Sequence, residues 1–184
     1  NQKHKEILEF INENKEFTQT LLERLTELTV NYLNFQISCG VHAVQLFESF
    51  ADVIPLGLYE KYVQPTHEKI FSSLNSNTPS ILFTKESPNF DLMLQSGAKA
   101  LSVGSCIDLA TARKKAPEMI FQGTVDNKIL ADGSKKEITE AGEKCFAKTN
   151  RKNHILNLNH GLLERTPFEN VQHFVNVAKE LGKI

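Results

Sequence analysis

The sequence predicts an α/β protein whose core is a parallel sheet of five strands that alternate with helices. Three observations favour this class. Five short apolar runs alternate along the chain with longer segments in which apolar residues recur at helical spacing. Most of the short runs are continuously apolar, as is typical of strands in a parallel sheet that is covered on both faces. Polar side chains follow the ends of these runs, where the strands of such a sheet lead into loops.

The composition is that of a globular protein without a nucleic-acid or membrane partner. The chain has 184 residues and a net charge of -1, so it can bury a core but carries no basic surface for nucleic acid or an anionic membrane. No apolar run approaches the roughly 20 residues that span a bilayer, and the polar residues at its start predict no signal peptide. Cys39, Cys106 and Cys145 are far apart and lack the spacing of a zinc site, which favours a reduced intracellular state.

Residues 1–40 are predicted to be a helical lead-in that precedes the first strand. Apolar residues recur at helical spacing over 3–14, and a stronger pattern predicts a second helix over 17–38, with Gly40 suited to end it. The apolar stripe of this second helix consists of Leu21, Leu25, Leu28 and Tyr32, with Leu22, Thr29 and Leu33 beside it.

Each predicted strand leads into polar residues. The strands are predicted over 43–47, 79–84, 98–103 and 118–121, and the fifth is the apolar run of Ile155, Leu156 and Leu158. The polar residues that follow them are Ser49, Lys85, Ser105, Gln122 and His160. Ligands of parallel α/β folds bind at the carboxyl ends of the strands, which meet at one edge of the sheet. We therefore expect all five side chains at one rim.

The intervening helices have recognisable starts. One is predicted over 57–74, and Pro65 inside it removes a backbone donor, so a kink or a split is expected there. Others are predicted from Ser87-Pro88 to Gly97 and from Asp108, and a capping box over 134–137 starts the next.

The last helix is predicted to begin with Thr166 as its cap, Pro167 at the first helical position and Glu169 completing a capping box. Its buried face is expected to consist of Val171, Phe174, Val175, Ala178 and Leu181.

Five strands do not close an eight-stranded barrel, for which about 250 residues are typical. Two architectures therefore remain open, a doubly wound open sheet or the C-terminal part of a (β/α) barrel. The helical lead-in before the first strand fits a chain that joins a barrel partway.

Four segments, each at the end of a predicted strand, resemble motifs of the uroporphyrinogen decarboxylase family in the family's order. Residues 45–51 read Q-L-F-E-S-F-A and are similar to Q-L-F-E/D-S-x-A-G. Residues 81–85 are similar to I-L-F-x-K, and residues 122–126 are similar to the start of Q-G-N-L-D-P. Residues 157–161 read N-L-N-H-G and are similar to N-L-G-H-G, followed by Thr166-Pro167-x-x-Asn170-Val171 as in the family. The resemblance covers essentially the whole chain.

The sequence also departs from the family pattern. Asp52 replaces a Gly, Gly104-Ser105 stand where most members have Asp-Trp, and Thr124 and Asn127 replace Asn and Pro. The family's arginine-rich motif, its binding aspartate and its active-site tyrosine would lie upstream of residue 1. The chain is therefore expected to be the C-terminal half of a longer protein.

The resemblance implies a fold and an activity. The fold is the C-terminal five β/α units of a TIM (β/α)8 barrel, with residues 1–184 forming a single partial domain. The activity is that of a carboxy-lyase, which removes the four acetate carboxyls of uroporphyrinogen and gives coproporphyrinogen in porphyrin and haem biosynthesis. A pyrrole ring protonated next to the acetate arm accepts the electrons, so no cofactor or metal is required. The resemblance also implies a cytoplasmic homodimer with a tetrapyrrole substrate.

His160 is the predicted catalytic residue and, with Ser49, binds substrate. Histidine titrates near neutral pH, so His160 could share a proton with a substrate carboxylate or donate to it. Its alternative role is structural, with the ring satisfied by loop carbonyls. Ser49 could hydrogen-bond a carboxylate arm or cap the loop after it. Lys85 and Gln122 are interpreted as structural residues, although Lys85 could contribute positive charge to the pocket.

Two other functions stay open. A zinc-dependent methyltransferase acting on corrinoid or thiol acceptors uses a related barrel, but its ligands typically include an H-x-C pair, which this chain lacks. A non-catalytic half-barrel is the second, because the upstream catalytic set lies outside the chain. The 184-residue chain alone is expected not to decarboxylate uroporphyrinogen, because it lacks the arginines and the aspartate that the resemblance implies. It would leave two open sheet edges and an exposed apolar inner face, so it is also expected to aggregate or associate.

Overall fold

The computed structural model describes residues 2–75 and 78–183, so the two ends of the predicted domain, residues 1 and 184, lie outside the described residues. One sheet contains five strands in the order β1-β2-β3-β4-β5. They are β1 (Val44–Glu48), β2 (Ser80–Thr84), β3 (Ala100–Ser102), β4 (Ile120–Gln122) and β5 (His154–Ile155). The strands are parallel and adjacent in chain order, as predicted.

The chain forms two compact units. The first contains α1 (Gln2–Glu13), α2 (Lys15–Ser38), the start of β1, the helical segment before β2, the start of β2, and α5 (Phe90–Leu94). That helical segment consists of α3 (Leu56–Leu58), a π-helical turn (Tyr59–Val63) and α4 (Gln64–Ser72). The core of this unit is built on Leu33, Val44 and Ile70, which come from α2, β1 and α4.

The predicted stripe of α2 does not face this core. Leu21, Leu25, Leu28 and Tyr32 are between 44% and 65% exposed. The side of α2 that packs carries Leu33, with Val30 and Ile37 beside it, and lies on the other side of the helix. The helical prediction is confirmed, but the largest apolar face of α2 is uncovered within the residues that the structure describes.

Pro65 produces the predicted interruption as a change of helix type. The backbone N–H of Gln64 donates to the carbonyl of Tyr59, five residues back, which closes the π-helical turn directly before the proline. Proline has no N–H for the α-helical bond to Lys61, and insertion of a wider turn is one of the known consequences.

The second unit contains the segments after β1 and β2, Phe47–Asp52 and Phe83–Pro88, and the chain from Lys99 onward. Its helices are α6 (Leu109–Lys115), α7 (Asn127–Asp132), α8 (Lys135–Lys148) and α9 (Phe168–Leu181). The predicted capping box of α8 is present with both of its hydrogen bonds. Asp108 caps α6 as predicted, by accepting from the N–H of Thr111. No helix in the described part of the chain is both long and apolar enough to cross a bilayer.

Two predicted helix starts are wrong. The helix expected from Ser87-Pro88 begins at Phe90. Glu86 adopts a left-handed backbone conformation (φ 44°), and helical geometry is disfavoured at Ser87 because a proline follows it. Thr166 does not cap α9, whose N-cap position is occupied by Pro167. The hydroxyl of Thr166 is buried without a hydrogen bond to any described residue.

The ends of the sheet and of the chain also differ from the prediction. The fifth strand has only two residues, and Ile155 is 41% exposed rather than buried. β5 is the last strand of the sheet, so it is paired on one side only among the described strands. In α9, Val175 is exposed and Val177 is buried instead, because Val177 packs where Gly142 of α8 leaves space for it. The short α7 was not predicted.

Candidate active site

The predicted rim residues all lie in the second unit, at the carboxyl ends of the strands. Ser49 and Lys85 directly follow β1 and β2, and Ser105 and His160 lie in the loops after β3 and β5. Gln122 is the last residue of β4 rather than a loop residue. Hydrogen bonds join the loops after β3, β4 and β5, and a ring contact joins His160 to Phe83 of β2.

His160 is exposed, and its ring contacts the edge of an aromatic pair. The His160 ring lies 6.1 Å from the ring of Phe83, at an interplanar angle of 65°. Phe83 in turn lies 5.3 Å from Phe47. None of the described residues hydrogen-bonds the imidazole of His160, so loop carbonyls do not satisfy it within that part of the chain. Both ring nitrogens are open to a ligand at the rim.

The backbone on either side of His160 is held by hydrogen bonds. The N–H of Asn159 donates to the carbonyl of Val125 at 2.8 Å. The Asn159 side chain accepts from the N–H of Asn127 at 2.9 Å and donates to the hydroxyl of Ser105 at 2.8 Å. The Asn127 side chain donates to the carbonyl of Gly161 at 2.8 Å. The loops after β3, β4 and β5 are thereby joined.

Glu86 fixes the loop after β3. Its two carboxylate oxygens accept from the N–H groups of Ser105 and Cys106, each at 2.9 Å. A Cβ on Gly104 would lie 2.8 Å from the backbone nitrogen of Glu86, closer than real contacts allow. The glycine at position 104, one of the departures from the family motif, is therefore required by the approach of Glu86.

The surroundings of Cys106 disfavour its thiolate form. Although the residue is exposed overall, partial burial of its thiol raises the pKa of Cys106 to about 11, and the neighbouring Glu86 carboxylate adds to the effect. The thiol donates to the carbonyl of Ser87 at 3.3 Å. Since the thiolate is the reactive form, this side chain serves packing and hydrogen bonding.

Lys85 and Gln122 have protein partners. The ammonium of Lys85 lies 3.6 Å from the carboxylate of Asp52, and about a third of each side chain is exposed. Asp52 is another departure from the family motif, and its charge offsets part of the Lys85 charge. The buried Gln122 amide donates to the hydroxyl of Ser102, its register partner on β3, at 3.0 Å. These contacts agree with the structural interpretation of both residues.

Ser49 lies in the exposed turn directly after β1. No described residue hydrogen-bonds its hydroxyl, so within that part of the chain it does not cap its loop. No hydrogen bond among the described residues joins it to His160. The structure thus leaves Ser49 open to a ligand but does not pair it with His160.

Sequence reasoning did not identify Glu86, Asn127 or Asn159 as residues that hydrogen-bond the loops at the rim to one another. The departures from the family motif at 104–105 and at 127 could have pointed to them, because these positions contact Glu86 or Asn159. Among the described residues, no group of three or more His, Cys, Asp or Glu side chains is placed to hold a metal ion.

A solved methyltransferase structure from Methanosarcina mazei is similar in fold, with a TM-score of 0.85 at 18% sequence identity. The likeness covers 97% of this chain and 54% of that chain, and at this identity it shows the fold alone. With five parallel strands in chain order, the chain is a partial barrel, the C-terminal five β/α units of the TIM (β/α)8 class.

Residues 1–181 match the family described as Uroporphyrinogen decarboxylase (URO-D), and the chain belongs to this family. It is 34% identical over 166 residues to the uroporphyrinogen decarboxylase of Microcystis aeruginosa and 35% identical over 167 residues to that of Nostoc punctiforme, covering 88% of this chain and 47% of each relative. It is 32% identical to uroporphyrinogen decarboxylase 2, chloroplastic, of Arabidopsis thaliana, over 88% of this chain and 42% of that relative. The chain spans about half the length of the curated relatives that it matches.

Proposed function

We propose that this chain is part of a uroporphyrinogen decarboxylase, a carboxy-lyase that removes the four acetate carboxyls of uroporphyrinogen to give coproporphyrinogen. Family membership supplies the class of reaction. The observation that carries the site is the position of His160, exposed at the carboxyl rim with no described residue hydrogen-bonding its ring. In parallel α/β proteins this rim is where substrates bind.

In this proposal His160 contacts a carboxylate of the substrate. When carbon dioxide leaves, a pyrrole ring that has been protonated next to the acetate arm accepts the electron pair. A proton must then reach the new methyl carbon, and the ring gives up its extra proton. A histidine can hold or donate a proton near neutral pH, and it can offset charge as the reaction proceeds. No cofactor or metal has a part in this scheme.

Two further groups support tetrapyrrole binding. Ser49 offers a hydroxyl to a carboxylate arm from the end of β1. The rings of Phe47 and His160 are exposed and each contacts the buried Phe83 ring, at interplanar angles of 48° and 65°, and they offer apolar contact to single pyrrole rings of the puckered, non-aromatic porphyrinogen. The proposal assigns activity to the whole protein, acting as a cytoplasmic homodimer in haem biosynthesis, and assigns none to the 184-residue chain alone.

Anaerobic incubation of the whole protein with uroporphyrinogen tests the proposal, with the products oxidised to porphyrins and separated by the number of carboxyls. We expect loss of four carboxyls per molecule. A parallel incubation offers zinc, a thiol acceptor and a methyl donor. Methyl transfer without decarboxylation would favour the alternative enzyme, and the absence of both activities would favour the non-catalytic half-barrel.

A further inference from the structure

The first turn of α7 contains a buried backbone donor that needs a partner. Asp126 is the N-cap, so Asn127 occupies the first helical position, and it is 8% exposed. The first N–H groups of a helix have no acceptor within the helix, and proline suits this position because it has no N–H. The family motif has proline here, whereas this chain has an N–H that must be satisfied.

Asn159 supplies the acceptor. Its side-chain oxygen receives the N–H of Asn127 at 2.9 Å. The family motif N-L-G-H-G has glycine at this position and so has no side chain that could accept. The exchange at 127 creates a donor, and the exchange at 159 provides its partner.

A third departure joins the same network. The amide nitrogen of Asn159 donates to the hydroxyl of Ser105 at 2.8 Å, and the backbone of Ser105 is held in turn by Glu86. The motif pattern has tryptophan in place of Ser105. Asn159 therefore bridges two loops through the two ends of one carboxamide.

The network holds His160 from both sides. Asn159, the residue before it, accepts the backbone N–H of Asn127 with its side-chain oxygen. The residue after it, Gly161, is bonded to the side chain of the same Asn127 at 2.8 Å. No described residue hydrogen-bonds the imidazole, whose ring contact is with Phe83, so the backbone bonds of its neighbours are what orient it.

We propose that Asn127 and Asn159 are a matched pair of positioning residues for His160. This pair replaces the proline and glycine of the family pattern. The inference rests on the proposed function, since His160 is the group that meets the substrate. The physical consequence is a specific non-additivity. Removal of the Asn159 side chain leaves the buried N–H of Asn127 unpaired, whereas proline at 127 removes that N–H as well.

The test is a double-mutant cycle in the whole protein with Asn159→Gly, Asn127→Pro and the two combined. Proline is compatible with position 127, because Asp126 before it is extended (φ -62°, ψ 123°). The control is Asn176→Ala, which changes an exposed asparagine on α9 that takes no part in the network. Each variant is assayed for kcat and KM with uroporphyrinogen, and the His160 ring signals are recorded by NMR.

We expect Asn159→Gly to lower kcat by about tenfold with a smaller change in KM, and to shift or broaden the His160 ring signals. The double variant should lose less than the sum of the two single losses, because it no longer contains the unpaired N–H although it also lacks the bond from Asn127 to Gly161. Asn176→Ala should leave both readouts unchanged. Additive losses in the double variant, or a response of Asn159→Gly equal to that of the control, would overturn the pairing. If the unmodified protein shows no turnover, the proposed function fails. The NMR signals would still test the pairing, because unchanged His160 signals in Asn159→Gly would refute it.

Discussion

At the residue scale, the rim contains two kinds of side chain, those that are open to a ligand and those that already have protein partners. His160 and Ser49 belong to the first group, whereas Lys85 and Gln122 are bonded to Asp52 and Ser102. The sequence placed all of these residues after or near strand ends, but spacing along the chain does not reveal which of them are already paired. Pairing depends on residues from other loops, such as Asp52, whose place in the sequence does not show which side chain they meet.

Ser49→Ala in the whole protein should slow turnover by roughly fivefold, because the loss of one hydroxyl contact to a carboxylate is worth only about 1 kcal/mol. The melting temperature should not change, since no described residue hydrogen-bonds the Ser49 hydroxyl. Steady-state assays beside thermal melts measure both quantities. A stability loss with unchanged turnover would instead make Ser49 a loop cap.

Arg113 holds together the start of β4 and the start of β5. It is 9% exposed, and its guanidinium lies 5.0 Å from the centre of the Phe121 ring. The two terminal nitrogens donate at 2.6 to 3.0 Å to the carbonyls of Pro117, Met119, Lys152 and Asn153. The fork of arginine donors suits such a cluster of carbonyls.

Arg113→Met should lower the free energy of unfolding by about 3 kcal/mol, because it removes the buried guanidinium that donates to four carbonyls at the starts of β4 and β5. Lysine at this position should recover only part of the loss, since one ammonium cannot reach both strands. The control is Lys114→Met, which changes an exposed neighbour on the same helix. Urea unfolding of the whole protein measures the difference, and equal effects of the two methionine variants would contradict this role.

At the element scale, helix starts were predictable where the cap is local and were not predictable where distant residues decide. The capping box at Ser134 and the cap at Asp108 involve residues three apart, and both are present. Thr166 has the same local pattern but is displaced by Pro167. The helix after β2 begins late at a left-handed Glu86 and a residue that precedes proline. The Glu86 carboxylate bonds the loop after β3, a contact across 19 residues that no local pattern encodes.

The junction of α8 and β5 should make stability depend on pH. His154 stacks on Phe146 with ring centroids 5.0 Å apart, accepts from the hydroxyl of Thr149 and bonds the carbonyl of Gly123. Burial lowers the pKa of His154 below its ordinary value of 6.5. The unfolded chain therefore binds this proton more readily, so the stability is fully present above about pH 6.5 and is lost as the pH falls toward the folded pKa.

Thermal melts of the whole protein between about pH 7 and pH 5 measure this loss. His154→Gln should lower stability at neutral pH and flatten the slope in this window. His42→Gln, at an exposed position, should keep the slope of the unmodified protein. A slope that survives His154→Gln would assign the pH dependence to other groups.

At the scale of the whole molecule, the strand order and the placement of the rim followed from continuous apolar runs and the polar residues after them. The side of α2 that packs against the core could not be predicted from the sequence, because an amphipathic pattern shows that a face is apolar without showing what covers it. In this chain the face through Leu25 and Leu28 is exposed, and the core is built from the side through Leu33.

The isolated 184-residue chain should therefore associate or aggregate through α2. Sedimentation velocity at increasing concentration should show species larger than the monomer. Leu25→Lys combined with Leu28→Lys should reduce them, whereas Thr20→Lys, at an exposed position off the stripe, should not. A monomeric unmodified chain, or equal behaviour of the two lysine variants, would contradict the prediction.

The most direct test of the account is the turnover of uroporphyrinogen by the whole protein with and without His160→Ala, measured beside the melting temperature. Loss of one hydrogen bond to a charged substrate group should cost on the order of 1.5–3 kcal/mol, or roughly ten- to a hundredfold in rate. The melting temperature should stay unchanged, because the exposed ring is not hydrogen-bonded by any described residue. Full activity together with a sharply lowered melting temperature would show that His160 is a structural residue and would contradict the proposed site.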